Sequence, residues 1–468
     1  MKVGVGMKSY IIKNGTIVTA SDTFKGDLLV EQGIVKEIGI DIENNSAEII
    51  NAKGKYIIPG GIDVHTHFDL DVGISRAVDD FYTGSIAAAC GGTTTVIDHM
   101  AFGPKGCNLK HQVDVYHKLA RGKSVIDYSF HGVIQHVDEE ILKELEEIVI
   151  NGIPSFKIYL TYGFKINDDE ALRVLSKLKK IGGITTVHCE NNDIVNYLRG
   201  YYENRGLLTP VYHGKSRPEE TEGEAVNRMI NIAALAEDAP LYIVHLSTAL
   251  GLQYIKSAKE RGQKNIYSET CPQYLVFDED KYKLPNDEGL KYIMSPPLRK
   301  KHNKLALWKG IQEGHIQVVA TDHCPFNFNK EKQMGKGNFI KCPNGAPGVE
   351  PRMGLIYSEG VSKKRISINK FVEITSTNPA KLFGLYPRKG TIAVGCDGDL
   401  VILDPHKKLT ITKTMLHENV DYTPYEGIEL IGYPELTMIR GTIVAKNNEF
   451  IGPKGYGNFI SRKTIDLL

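Results

Sequence analysis

Between about residue 57 and residue 324 the chain repeats one texture, in which a short apolar run is followed by a longer stretch with apolar positions three and four residues apart. The runs are IIPGGIDVHTHF, TTTVIDHM, SVIDYSFHGV, IPSFKIYL, TTVHCE, LYIVHLS, NIYSETC and QVVATDHC. Short apolar runs bounded by turn residues read as buried strands, and segments such as DEEILKELEEIVING and DDEALRVLSKLKKIG read as amphipathic helices. Eight strand–helix units predict an α/β fold, a (β/α)8 TIM-like barrel over residues 59–385.

The flanks read differently. SYIIKNGTIVTA, GDLLVEQGIVKEIG and AEIINAKGKYIIP are strand-like, with NG and QG turns between or within them, and β texture returns in GTIAVGCDGDLVILDP and ELTMIRGTIVAKNNEFIG. Residues 1–58 and 386–468 are therefore expected to form one small β-sandwich built from both ends of the chain. Residues 1–6, ahead of the second methionine, read as a dispensable extension. Residues 327–351, polar and rich in Gly and Pro, read as a long loop beyond the eighth strand, of the kind that tends to carry function.

Composition narrows the partners. The 468 residues are 41% hydrophobic and 24% charged, and 57 basic against 56 acidic side chains give a formal charge of +1. No basic stripe argues for nucleic acid, no apolar span argues for a membrane, and the N-terminus lacks the apolar core of a signal peptide. Cytoplasmic location follows as the expectation. The seven cysteines are scattered without a CxxC pair, so any metal has to be held by histidine and oxygen ligands.

Ionisable residues recur at the ends of the predicted strands. In HTH, alternation along a strand puts His65 and His67 on one side, either as a pair of metal ligands or as two hydrogen-bonded loop histidines. Lys157 in SFKIYL, His188 in VHCEN, His245 in VHLS and Asp322 in ATDHCP continue the series, and in a closed barrel these ends converge on one mouth. Four histidines and an aspartate match the nitrogen and oxygen ligands of zinc. Lys157, alone, reads as a rim lysine that snorkels to water. Buried beside cations it would instead be a neutral amine able to take up carbon dioxide, and the resulting carbamate suits bridging two metals.

The set GGIDVHTHFD, FKIYLTYGF, VHCEN, VHLST, ETCPQYL, SPPLR, TDHCPF and CPNGAPGVE resembles the hydantoinase/dihydropyrimidinase branch of the amidohydrolase superfamily, a likeness that runs through to YGNFISR. The resemblance implies two zinc ions per subunit. His65, His67, carboxylated Lys157 and Asp322 would surround one, while the carbamate, His188 and His245 would hold the other, with a bridging hydroxide. It also implies that Tyr162 binds the substrate carbonyl, that Ser295 and Asn344 grip the cyclic imide through backbone groups, and that Asp322 shuttles the proton. The implied reaction opens 5-substituted hydantoins or 5,6-dihydropyrimidines to N-carbamoyl amino acids, the only partner being a small cyclic ureide or imide, in a homotetramer or homodimer.

His99, His131 and His323 match no metal position of the family and are expected to support or pack. Allantoinases and dihydroorotases share the lysine, but SPPLR, CPQYL and CPNGAPGVE fit the hydantoinase branch better; mononuclear deaminases lack that lysine. A non-catalytic scaffold like the collapsin response mediator proteins would have lost ligands, and here every ligand position is filled. In DLDVGISRAVDD, Asp71 and Val72 stand where many relatives carry an apolar or proline-containing segment, which bears on pocket polarity.

Overall fold

The computed structural model describes residues 8–465, so the expected extension at residues 1–6 lies outside the described residues. Five strands open it: β1 (Tyr10–Val18), β2 (Thr23–Glu31), β3 (Ile34–Gly39), β4 (Glu48–Asn51) and β5 (Tyr56–Pro59). Eight parallel strands follow: β6 (Gly61–Thr66), β7 (Thr93–His99), β8 (Asp127–Val133), β9 (Ser155–Tyr159), β10 (Ile184–His188), β11 (Leu241–Ile243), β12 (Ile266–Thr270) and β13 (Val318–Val319). Each coincides with one of the eight apolar runs. β14 (Leu400–Thr410), β15 (Glu429–Ile439), β16 (Thr442–Lys446) and β17 (Glu449–Phe450) then pair onto β5, so that both ends of the chain share a separate nine-stranded, mainly antiparallel sheet.

The run IIPGGIDV, read as one strand, is two. Gly60 separates β5, which belongs to the terminal sheet, from β6, which belongs to the barrel, and a Cβ there would lie 2.1 Å from Thr94 Oγ1. Helices cover the barrel where the periodicity placed them. The helix Asp168–Ile181 starts on a reciprocal cap between Asn167 and Glu170, carries acids in its first turn and Lys179 and Lys180 in its last, and stops at Gly182 with φ of 76°.

Closure of the barrel rests on a narrow seam. β13 is only two residues long, and contact with β6 is made beyond it: Asp322 N–H donates to the His65 carbonyl and His67 N–H to the His323 carbonyl, both at 2.9 Å. The Asp63 carboxylate takes the Thr321 hydroxyl at 2.6 Å, and Arg352, wholly buried, donates to the carbonyls of Ile62 (3.0 Å) and Val319 (3.1 Å) and to Thr93 Oγ1 (2.9 Å). One guanidinium thus ties three strands across the seam. The end of the chain returns to the barrel floor, where Arg462 donates to Ser129 Oγ and Ser155 Oγ. Among the described residues, no helix is long and apolar enough to cross a membrane, and all seven cysteines are free.

Arg352→Met should lower unfolding stability by about 3 kcal/mol, because two carbonyls, a hydroxyl and Asp63 lose a buried partner together. Chemical denaturation measures it, and a loss below about 1 kcal/mol would show that the seam does not need the cation.

Candidate metal centre and cavity

The ends of β6 and β10, the middle of β9, where Lys157 stands rather than at the expected strand end, and the segments just beyond β11 and β13 bring His65, His67, Lys157, His188, His245 and Asp322 to one wall of a cavity of about 810 Å³. Asp322 Oδ1 lies 3.2 Å from His65 Nε2 and 3.1 Å from His67 Nε2, and these three side chains form a compact candidate ligand group. His245 faces His65 with ring centroids 5.3 Å apart and meets His188 at 4.6 Å. Lys157, 1% exposed, joins this wall with Nζ 3.4 Å from His65 Nε2.

Burial governs the protonation of the group. Desolvation pushes His65 and His245 well below the usual histidine value, with Lys157 adding to the shift in both, and it lowers His188 as well. The rings are therefore neutral and offer lone pairs. Burial also lowers Lys157 to about 8. The donor set fits a metal pair: buried His245 Nδ1 has no hydrogen-bond partner, and nitrogen and carboxylate donors of this kind are those of zinc. Tyr162 (φ 73°), His245 (φ 38°) and Asp322 (φ 56°) all occupy the left-handed backbone region that L residues avoid, a strain that clusters at functional sites.

Two carboxylates that sequence reasoning assigned no role hold these side chains from behind. Glu269, at the end of β12, contacts His65 Nδ1 and accepts from Tyr242 OH (2.9 Å) and from His245 N–H (3.1 Å). It fixes the His65 ring with Nε2 toward the cavity. Burial raises Glu269 to about 8. Glu190 pairs with His188 Nε2 (2.8 Å) and accepts from Arg217 Nη1 (2.5 Å) and Ser295 Oγ (2.8 Å). Burial opposes its charge, yet Arg217 and the His188 contact outweigh it and hold the carboxyl well below the ordinary range. The signals were present: Glu269 stands near the end of the seventh apolar run, and Glu190 follows His188 by two residues just past β10.

Tyr162, Ser295 and Asn344 all line the same cavity. The Tyr162 ring lies 5.4 Å from that of His188, and burial raises its phenol, which stays protonated and able to donate. Asn344 is delivered by the long loop beyond β13, stapled by buried Lys332, whose Nζ donates to the carbonyls of Ile293 (2.7 Å) and Pro343 (2.9 Å). The other three histidines differ among themselves. His323 bonds Asp79 (3.0 Å) and receives the Gly348 and Val349 N–H groups, while His131 bonds the Val64 carbonyl and Ser155. His99 lies 4.3 Å from the His65 ring centre, with neither nitrogen bonded.

Residues 56–444 match the profile of the amidohydrolase family. The chain is 52% identical over 454 residues to the D-phenylhydantoinase of Escherichia coli O1:K1 / APEC, covering 97% of this chain and 98% of that protein. It superposes on the dihydropyrimidinase of Brevibacillus agri NCHU1002 with a TM-score of 0.96 at 45% identity, over 98% of this chain and 99% of the other. On the D-hydantoinase of Bacillus sp. AR9 the TM-score is 0.95 at 46% identity, over 98% and 100%. With profile, sequence and fold in agreement along nearly its whole length, this chain belongs to the hydantoinase and dihydropyrimidinase branch of the amidohydrolase family.

Proposed function

We propose that the protein is a binuclear zinc enzyme that hydrolyses cyclic ureides, opening 5-substituted hydantoins or 5,6-dihydropyrimidines to N-carbamoyl amino acids. The observation that carries this reading is the meeting of His65, His67 and Asp322 with Lys157, His188 and His245 on one buried cavity wall. In it, His65, His67 and Asp322 would hold one ion and His188 and His245 a second, and a carbamate on Lys157 would add an anionic ligand to both. When bound, such a pair supplies a Lewis acid and a water that loses its proton near neutral pH.

The remaining work falls to the protein. Tyr162 donates its phenol proton in a hydrogen bond to the ring carbonyl, whose oxygen becomes anionic as the carbon turns tetrahedral. The Asp322 carboxylate takes the proton of the attacking water and returns it to the ring nitrogen as the amide C–N bond breaks. The Ser295 hydroxyl is tied to Glu190, so the backbone around Ser295 and Asn344 is left to hold the imide. At the entrance Phe102 stacks on Phe164 (4.5 Å) and packs on Tyr159 (5.0 Å), beside exposed Val72 and Ile74. Asp71 caps its own turn by accepting from Gly73 N–H at 2.8 Å. An apolar C5 substituent suits this entrance, in keeping with relatives named D-phenylhydantoinase.

A ring-opening assay over 5-phenylhydantoin, dihydrouracil, dihydrothymine, allantoin and dihydroorotate tests the reading. Turnover should favour the hydantoins and dihydropyrimidines and vanish on chelation; turnover confined to allantoin or dihydroorotate would move the protein to the alternative activity, and none on any ring to the scaffold reading.

Tyr162→Phe should keep its metals and lose about 10²–10³ in kcat, the usual worth of one oxyanion donor. An unchanged rate on the best substrate removes the phenol from the reaction. Lys157→Ala should lose activity and at least part of its metal, and acetate or propionate with excess zinc should restore some turnover by filling the space of the missing anion. If the alanine variant keeps both metals and full activity, Lys157 carries no carbamate.

A further inference from the structure

His99 ends β7 inside the barrel, fully buried, and neither ring nitrogen has a hydrogen-bond partner. Buried polar groups are nearly always paired, so a wholly unpaired imidazole calls for a partner that the polypeptide itself does not supply. Its ring cannot easily turn to find one. His131 stacks on it at 4.3 Å and 20°, and His65 and His67 contact it at 4.3 and 5.3 Å.

His131 is itself fixed from the barrel floor. Arg462 Nη2 donates to Ser155 Oγ (2.8 Å), which leaves the Ser155 hydroxyl to donate to His131 Nδ1 (2.7 Å) and His131 Nε2–H to donate to the Val64 carbonyl (3.0 Å). The stack therefore rests on a chain of hydrogen bonds with one consistent direction. Lys157 reaches the same cluster: its Nζ lies 3.4 Å from Nε2 of His65, the ring that packs on His99 at 4.3 Å.

We propose that His99 is a positioning residue for a carbamate on Lys157, its ring N–H donating to one carbamate oxygen. The inference rests on the carbamate reading under Proposed function. The covalent step is balanced without an added reagent: the neutral Lys157 amine attacks carbon dioxide, an N–C bond forms, one amine proton leaves to solvent, and an N-bound carboxylate with a single negative charge remains.

The test reads carbamate occupancy rather than turnover. At saturating zinc, native mass spectrometry and carbon-13 NMR with labelled bicarbonate give the bicarbonate concentration for half-carbamylation in the wild type and in His99→Phe, His99→Met and His99→Gln. Loss of one hydrogen bond to an anion predicts a midpoint roughly ten- to a hundredfold higher in the Phe and Met variants. His99→Gln keeps an N–H donor and should recover most of the shift. A midpoint within about threefold of wild type in whichever apolar variant folds overturns the proposal, as does zinc loss at an unchanged bicarbonate midpoint, which would make His99 a metal ligand. A metal-loaded wild type without carbamate overturns the carbamate reading itself, and the role of His99 with it.

Discussion

Everything chemical in this molecule depends on closing a parallel sheet between its first and eighth strands. Asp322 and His65 lie 257 positions apart in the sequence, yet an N–H to carbonyl bond of 2.9 Å joins them at the seam and sets the Asp322 carboxylate against both His65 and His67. Without that contact the eighth strand would be an edge and its aspartate would face water. Arg352 and Asp63 hold the same seam from below. The closure that completes the fold is thus also what assembles the candidate centre.

Burial on this scale creates an electrostatic problem that the protein answers in two layers. Ring nitrogens that are to offer lone pairs must be neutral, and desolvation drives His65, His188 and His245 in that direction. Ring orientation must be fixed as well, and Glu269 and Glu190 do this from behind, each accepting several hydrogen bonds that offset its own loss of water. Arg217 makes the difference between the two carboxylates: Glu190 has a guanidinium and is held ionised, whereas Glu269 has only dipoles and a lysine nearby and is raised.

The barrel and the convergence of these side chains on one cavity were legible because they follow local rules. Strand alternation placed His65 beside His67, and His188, His245 and Asp322 stood near the ends of their apolar runs, whereas Lys157 lies in the middle of its strand. The partners behind them were less legible. Arg217, Arg352 and Arg462 lie in loops or at helix starts, and a pattern of neighbours along the chain does not say which distant carbonyl or carboxylate an arginine will reach. The lengths of β11 and β13 were also hidden: runs of seven and eight residues yield strands of three and two. Ladder pairing stops early because the backbone at His245 and Asp322 turns to positive φ.

That early stop explains why a binding wall can be built at the strand ends at all. A regular strand continuing through His245 or Asp322 would point alternate side chains into and out of the barrel, and only one aim would be available at each level. Left-handed residues cost about 1–3 kcal/mol each, and they persist where surrounding contacts over-determine them. Here the contacts are visible: His245 N–H is held by Glu269, and Asp322 N–H by the His65 carbonyl. The same carboxylate that orients His65 therefore also stabilises the strained turn that aims His245. Ring orientation and backbone strain share one support, so replacing Glu269 would disturb both His65 and His245 from a residue that does not itself line the cavity.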